Sequence, residues 1–246
     1  GCQNAQLSVL NQEIRKRDPN FSKPLYEFEH QKIGTEEEMV AGAIKSIFEG
    51  MAIADQSERK PAPLSKLCIG LECGGSDGFS GISANPAIGH VSDLIVAMGG
   101  SAILSEFPEL SGVEQDLYNR CVSQDDADKF LDLMKNYDAL AHHVGSGFDK
   151  NPSPGNIKDG LITDAMKSAG AAKKGGTSPV AGVHDYPGKA TGSGLHLLCT
   201  PGNDIESVTA EVAAGANIVL FTTGLGTPTG NPVAPVIKIS TNTALF

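Results

Sequence analysis

Long apolar runs are missing from this chain of 246 residues, and with them any helical membrane span, which takes ~20 consecutive apolar residues. Arginine is nearly missing as well. Only Arg15, Arg17, Arg59 and Arg120 are present, so beyond residue 120 a carboxylate can be met only by lysine or backbone N–H. The five cysteines (Cys2, Cys68, Cys73, Cys121, Cys199) are odd in number and form no CxxC, which argues against a disulfide framework or a zinc ribbon. With no signal peptide, the reducing cytoplasm is the expected compartment. There is no initiator Met; the chain opens in mid-pattern and reads as a piece of a longer protein. Positive charge is in deficit. A net charge of −10 speaks against nucleic acid as a partner, whose affinity rests on Lys and Arg neutralising phosphates.

Several motifs are absent too. GxxxxGK[ST] does not occur, and Gly224-x-Gly226 lacks both the third glycine and the later acid of a dinucleotide fingerprint. HExxH is missing, which removes one route to hydrolysis.

Present instead is a pattern of short apolar runs alternating with helices. Before it, residues 3–17 read as a helix, Tyr26–Glu29 alternates like a strand, and Thr35 with Glu38 opens a capped helix running to Gly50. Residues 55–64, polar and proline-bearing, form the candidate linker. Beyond it the spacing predicts strands at 66–71, 101–105, 194–199, 217–222 and 234–239. Helices are predicted at 86–99, 123–144, 158–172 and 204–214. Such alternation indicates an α/β fold: a mostly parallel, Rossmann-like sheet with helices on both faces and ligand loops at its carboxyl edge.

Three predicted strands run into polar, glycine-bearing loops: CGGSDGFSG from Cys73, TPGN from Thr200, and TTGLGTPTGNP from Thr222. In a parallel sheet all three leave by the same edge. The first carries Cys73 and Asp77, four residues apart, and Cys2 or Cys199 could approach from elsewhere. A thiolate in the set suits iron(II) or zinc better than magnesium. Two further residues stand out. Glu106 follows strand 101–105, and Lys238 interrupts an apolar strand, where it must snorkel, pair or act. His90, His142, His143 and His196 are scattered and read as structural.

Longer strings carry a resemblance. ECGGSDGFSGISANPAIG (72–89), LSEFPELSGVE (104–114), NPSPGNIKDGLITDAMKSAGAAKKGGTSP (151–179), CTPGND (199–204) and FTTGLGTPTGNPVAPVIKISTNTAL (221–245) are similar to the sugar-acid dehydratases. These include the altronate and galactarate dehydratases, with a sulfolactate sulfo-lyase as a further relative; the wording is closest to the altronate branch. The resemblance implies an iron(II)-dependent hydro-lyase, with Mn(II) as an alternative ion. It would convert D-altronate to 2-dehydro-3-deoxy-D-gluconate and water in hexuronate catabolism. On that reading 1–60 is the tail of a preceding α/β domain and 61–246 is the catalytic α/β domain. Cys73, Asp77 and Cys2 are the expected metal donors. Lys238 is expected to hold the carboxylate or act as base, with Glu106 as the other acid or base. Gly74, Gly75, Ser76, Asn85, Thr200, Thr222 and Thr223 are expected to bind substrate. A small sugar acid and further copies of the chain are the expected partners. A galactarate dehydratase or a sulfolactate sulfo-lyase is the alternative within this class, and a sugar-acid-binding module without catalysis is the alternative of another class.

Overall fold

The computed structural model describes residues 6–246, so Cys2, one of the expected donors, lies outside the described residues. The chain divides into two compact units, Gly1–Pro61 and Ala62–Phe246. Among the described residues no helix is long and apolar enough to cross a membrane.

In the first unit, helix α1 (Leu7–Arg17) closes on Arg15, Lys16 and Arg17, cations that suit the carbonyl end of a helix. Helix α2 (Glu36–Ala54) begins at a reciprocal cap. Thr35 Oγ1 accepts from the Glu38 N–H, and the Glu38 carboxylate accepts from the Thr35 N–H. The stretch at Tyr26–Glu29 is extended but makes no ladder, contrary to the strand its alternation predicts. Tyr26 and Phe28 instead rest against Gly50 and Gly42 of α2, where the missing side chains leave room for the rings. Without a neighbouring strand among the described residues of this unit, alternation alone cannot make a sheet.

The second unit is built on six parallel strands: β1 (Cys68–Cys73), β2 (Ser101–Leu104), β3 (Val180–His184), β4 (Gly194–Leu198), β5 (Ile218–Thr223) and β6 (Val236–Ser240). Their order across the sheet is β3-β4-β2-β1-β5-β6. Strand β1 lies at the centre and is buried from Ile69 onward, as expected of a strand covered on both faces. It pairs with β2 from Cys68↔Ser101 to Leu71↔Leu104 and with β5 from Ile69↔Ile218 to Cys73↔Thr222.

Two apolar clusters divide between the faces of the sheet. On one, Ile69, Leu71, Ala102, Leu104, Leu195 and Leu197 pack with Ile88 and Ile95 of α3 (Ala84–Ala97). This cluster also takes Phe130 and Met134 of α5 (Gln124–His143), which follows the short α4 (Glu114–Arg120). On the other, Ile103, Leu198, Val219 and Phe221 meet Val208, Ala210 and Ala214 of α8 (Asp204–Ala214). Each fully buried Leu, Ile or Phe contributes about 1.5–3 kcal/mol, which makes the strands a rigid frame for the loops leaving them. The expected α/β architecture is therefore present.

Two local differences matter below. The single helix expected at 158–172 is two helices, α6 (Pro154–Lys158) and α7 (Asp164–Ala172). Gly160, with φ 101°, breaks the run, and Thr163 Oγ1 restarts it by accepting from the Met166 N–H. Strand β3 is not predicted by its sequence, because Pro179 and Gly182 interrupt its apolar run. It forms as an edge strand laid against β4.

Candidate active site

The site lies just beyond the carboxyl ends of β1 and β2. The Leu71↔Leu104 register places Glu72-Cys73 beside Ser105-Glu106 as the two central strands run out. Glu106 then takes a left-handed backbone conformation, φ 62°, which is costly for a residue with a side chain. Its N–H donates to Thr200 Oγ1 at 2.8 Å. The chain turns at once through Phe107–Leu110 and brings Glu109 over Cys73.

Two lysines complete the constellation. Lys174 follows α7 in a tight turn that two groups clamp from behind. Asp93 accepts from the N–H and hydroxyl groups of Thr177 and Ser178, and Arg120 donates to the carbonyls of Gly175 and Ser178. Lys174 Nζ then donates to Glu106 Oε2 at 2.6 Å and to Cys73 Sγ at 3.1 Å. The thiol donates in turn to Glu109 Oε2 at 3.1 Å. Lys167, inside α7, pairs with Glu109 Oε1 at 2.8 Å and is also held by the side-chain oxygens of Asn151 and Asn156. All five side chains are buried.

Burial drives the protonation pattern. It pushes the Cys73 thiol well up, with Glu109 adding to the effect against Lys174, so the sulfur rests as S–H. Burial raises Glu106 too, and Glu109 raises it further against the pull of Lys174. For Glu109 burial again opposes ionisation, but Lys167 and Lys174 outweigh it and hold the group below the usual carboxylate range. Lys174 is lifted well above an ordinary lysine, because the acids around it, Glu106, Glu109 and Glu72, overcome its desolvation.

Beneath this layer lie two more buried acids. Glu72 accepts from Ser207 Oγ at 2.7 Å, and Glu211 accepts from Ser105 Oγ at 2.7 Å and the Leu71 N–H at 3.0 Å. Burial raises both, Glu211 to about 8. Four carboxyl groups and a thiol thus face two ammonium groups. The carboxyl groups of Glu72 and Glu106 interact with each other, and one oxygen of Glu211 has no hydrogen-bond partner among the described residues.

Above the layer opens a polar cavity of about 500 Å³, lined among others by Cys73, Gly74, Gly75, Ser76, Glu109, Lys167, Asn156 and Asp204. Among the described residues, Cys73, Glu106 and Glu109 each offer a ligand atom, all within 4.8 Å of one another, a triad that could hold a metal. The donor chemistry fits a divalent cation. One sulfur and two carboxylates make a donor set of the kind such an ion takes.

The structure brings Cys73, Glu106, Gly74, Gly75 and Ser76 together at this place. Asp77 is turned away from Cys73. One of its oxygens accepts from Ser80 Oγ and the Phe79 N–H; the other accepts from Thr241 Oγ1 at 2.8 Å and Asn242 Nδ2 at 2.9 Å. Asn85 takes a 2.6 Å bond from Thr222 Oγ1 and gives one to the Gly170 carbonyl. Thr223 accepts from the Gly226 N–H. Thr200 holds Glu106 from behind. None of these five is among the residues lining the cavity. Lys238 stands apart on the outermost strand β6, exposed, with Nζ 5.9 Å from the centre of the Phe221 ring. Cys199 is buried beside Tyr137 in a separate groove, its thiol pushed up to about 12 by burial.

Sequence reasoning missed Glu109, Lys167, Lys174 and Asp204. Glu109 sits in the quoted string SEFPELSG and the lysines in DAMKSAGAAKKGG, but only a signal for a buried lysine could have separated them from surface charges.

The chain matches the family D-galactarate/altronate dehydratase, C-terminal, over residues 64–246. It is 41% identical over 246 residues to an altronate dehydratase of Bacillus subtilis, covering all of this chain and 48% of that protein. It is 37% identical to an altronate dehydratase of Escherichia coli, with the same coverage. Against the galactarate dehydratase (L-threo-forming) of E. coli it is 39% identical over 191 residues, 78% of this chain and 36% of the relative. The chain thus spans about half the length of the altronate dehydratases it matches.

Proposed function

Because this chain belongs to the D-galactarate/altronate dehydratase family, we propose that it carries the elimination site of a sugar-acid hydro-lyase, with D-altronate as substrate and 2-dehydro-3-deoxy-D-gluconate and water as products. The observation supporting this reading is the sealed Cys73–Glu106–Glu109–Lys174 constellation opening onto a polar cavity that also holds Lys167.

The reaction removes the C2 proton and expels the C3 hydroxyl; the resulting enol then takes a proton at C3 and becomes the ketone. Its difficulty is the weak acidity of a C–H beside an ionised carboxylate and the poor leaving ability of hydroxide. Cys73 and Glu109, the members of the triad that line the cavity, would hold a divalent cation, and we propose iron(II), to which a thiol with carboxylates is suited. Bound there, it would supply Lewis-acid polarisation of the substrate's oxygens. Lys167 faces the cavity as a fixed ammonium and offers the carboxylate its counter-charge. Glu106 sits directly behind Cys73, whose N–H it accepts, and burial and Glu109 raise its basicity; it is the group we assign to the C2 proton. Lys174 stays protonated beside it and keeps its position fixed as charge moves.

The test is an anaerobic assay of the intact protein with iron(II) and D-altronate, reading the 2-dehydro-3-deoxy acid. Product is expected from the wild type and none above background from Glu106→Gln. Metal-independent binding without product would point to a binding module instead.

A further inference from the structure

The amino end of α8 points at the cavity, and it is already occupied by an acid. In an open α/β fold this is where an anion is ordinarily welcomed, since unpaired N–H groups and the helix dipole favour negative charge. Here Asp204, the first residue of the helix, supplies that charge itself. Both of its oxygens lie against Gly74, so close that a Cβ on Gly74 would meet them at 2.7 and 2.8 Å. The carboxylate accepts from Thr229 Oγ1 at 3.4 Å, Thr227 also bonds to it, and among the described residues it has no ammonium or guanidinium partner. It is half-buried and lines the same cavity as Glu109 and Lys167. Burial raises it, and Glu109 adds to the effect. The cavity wall thus carries Lys167 with Asn151 and Asn156, and also Asp204, an acid that can accept hydrogen bonds but repels a second negative group.

Resting on the function proposed above, we infer that Asp204 is a specificity-determining residue. It restricts the site to polyhydroxy acids bearing one carboxylate, which binds on the Lys167 side while a hydroxyl near the far end of the substrate donates to Asp204. A six-carbon acid with carboxylates at both ends would place like charges side by side in a confined cavity, which disfavours its binding. A terminal hydroxymethyl group has a proton to give and meets no such penalty. Altronate ends in a hydroxymethyl group where galactarate has a second carboxylate, and the two also differ in configuration along the chain. The end-group effect is therefore read from the change in the altronate-to-galactarate ratio that a neutral residue in place of Asp204 produces.

The experiment compares kcat/KM of the intact, metal-loaded protein for D-altronate and D-galactarate in wild type, Asp204→Asn, Asp204→Ser and Asp204→Glu. Wild type and Asp204→Glu are expected to favour altronate. The two neutral variants are expected to shift the altronate-to-galactarate ratio toward galactarate by about tenfold or more, chiefly through KM. Competition by galactarate against altronate turnover gives the same comparison through inhibition constants. A wild type that uses both acids equally, or neutral variants with an unchanged ratio, overturns the inference while leaving the hydro-lyase reading intact. No turnover of either acid by the wild type overturns the function itself, and the inference falls with it.

Discussion

Lys174 Nζ sits 2.6 Å from Glu106 Oε2, although 68 positions separate the two residues and both side chains are sealed from solvent. Each is the charge partner the other requires. Removing one leaves an uncompensated buried charge, at a cost of about 3–5 kcal/mol, whereas removing both leaves none. Lys174→Met is therefore expected to lower unfolding free energy by that order, and Lys174→Met with Glu106→Gln to recover much of it. Urea unfolding of the single and double variants checks this; additive losses would show that the pair is not coupled. Activity is expected to stay lost in all of them.

Cys73→Ser keeps a hydrogen-bonding group but removes the polarisable donor. Iron(II) affinity is expected to fall by more than about 100-fold, since loss of even an outer partner of a ligand costs 10–100-fold. Stability should change little. Metal content after anaerobic loading and dialysis measures the effect, and an unchanged stoichiometry would remove the sulfur from the centre.

Glu211 gives a pH signature. Its folded pKa, about 8, is above its ordinary 4.5, so between those values the folded chain binds the extra proton. Its contribution to stability is full below about 4.5 and is lost as pH rises through about 8. Glu211→Gln carries no such titration. Relative to the variant, the wild type should lose about 1–3 kcal/mol from pH 5.5 to pH 9. Parallel stability curves for the two proteins would contradict the assignment.

Lys238→Ala removes an exposed edge-strand cation whose nearest recorded partner is an aromatic ring. The expected change is about 1 kcal/mol or less in stability. Turnover is expected to remain near the wild-type rate. A large fall in kcat with an unchanged melting transition would bring this lysine back into the chemistry.

What could be read from the sequence divides along physical lines. Strands β1, β2, β4, β5 and β6 were legible because each is an apolar run with polar punctuation. Cys73 and Glu106 were legible because both follow such runs at the same edge. Lys167 and Lys174 were not, because nothing in DAMKSAGAAKKGG distinguishes a buried ammonium from a solvated one. Only the fold shows Glu109 and Glu106 waiting for them. Asp77 looked like a donor beside Cys73, but loop direction is set by backbone turns that residue types do not reveal. Gly224 leaves the space into which its carboxylate swings; a Cβ there would meet it at 2.5 Å.

The placement of β1 between β2 and β5 carries a consequence for how the protein is born. A ribosome releases Cys73 long before it releases Thr222, its neighbour in the ladder, or Thr241 and Asn242, which fasten the loop that follows it. Until those late residues emerge, the central strand has one open side and the Asp77 loop has no anchor. The loop carrying Gly74, Gly75 and Ser76 is thus fastened late, and a message that stops short of residue 241 would leave it without its anchor.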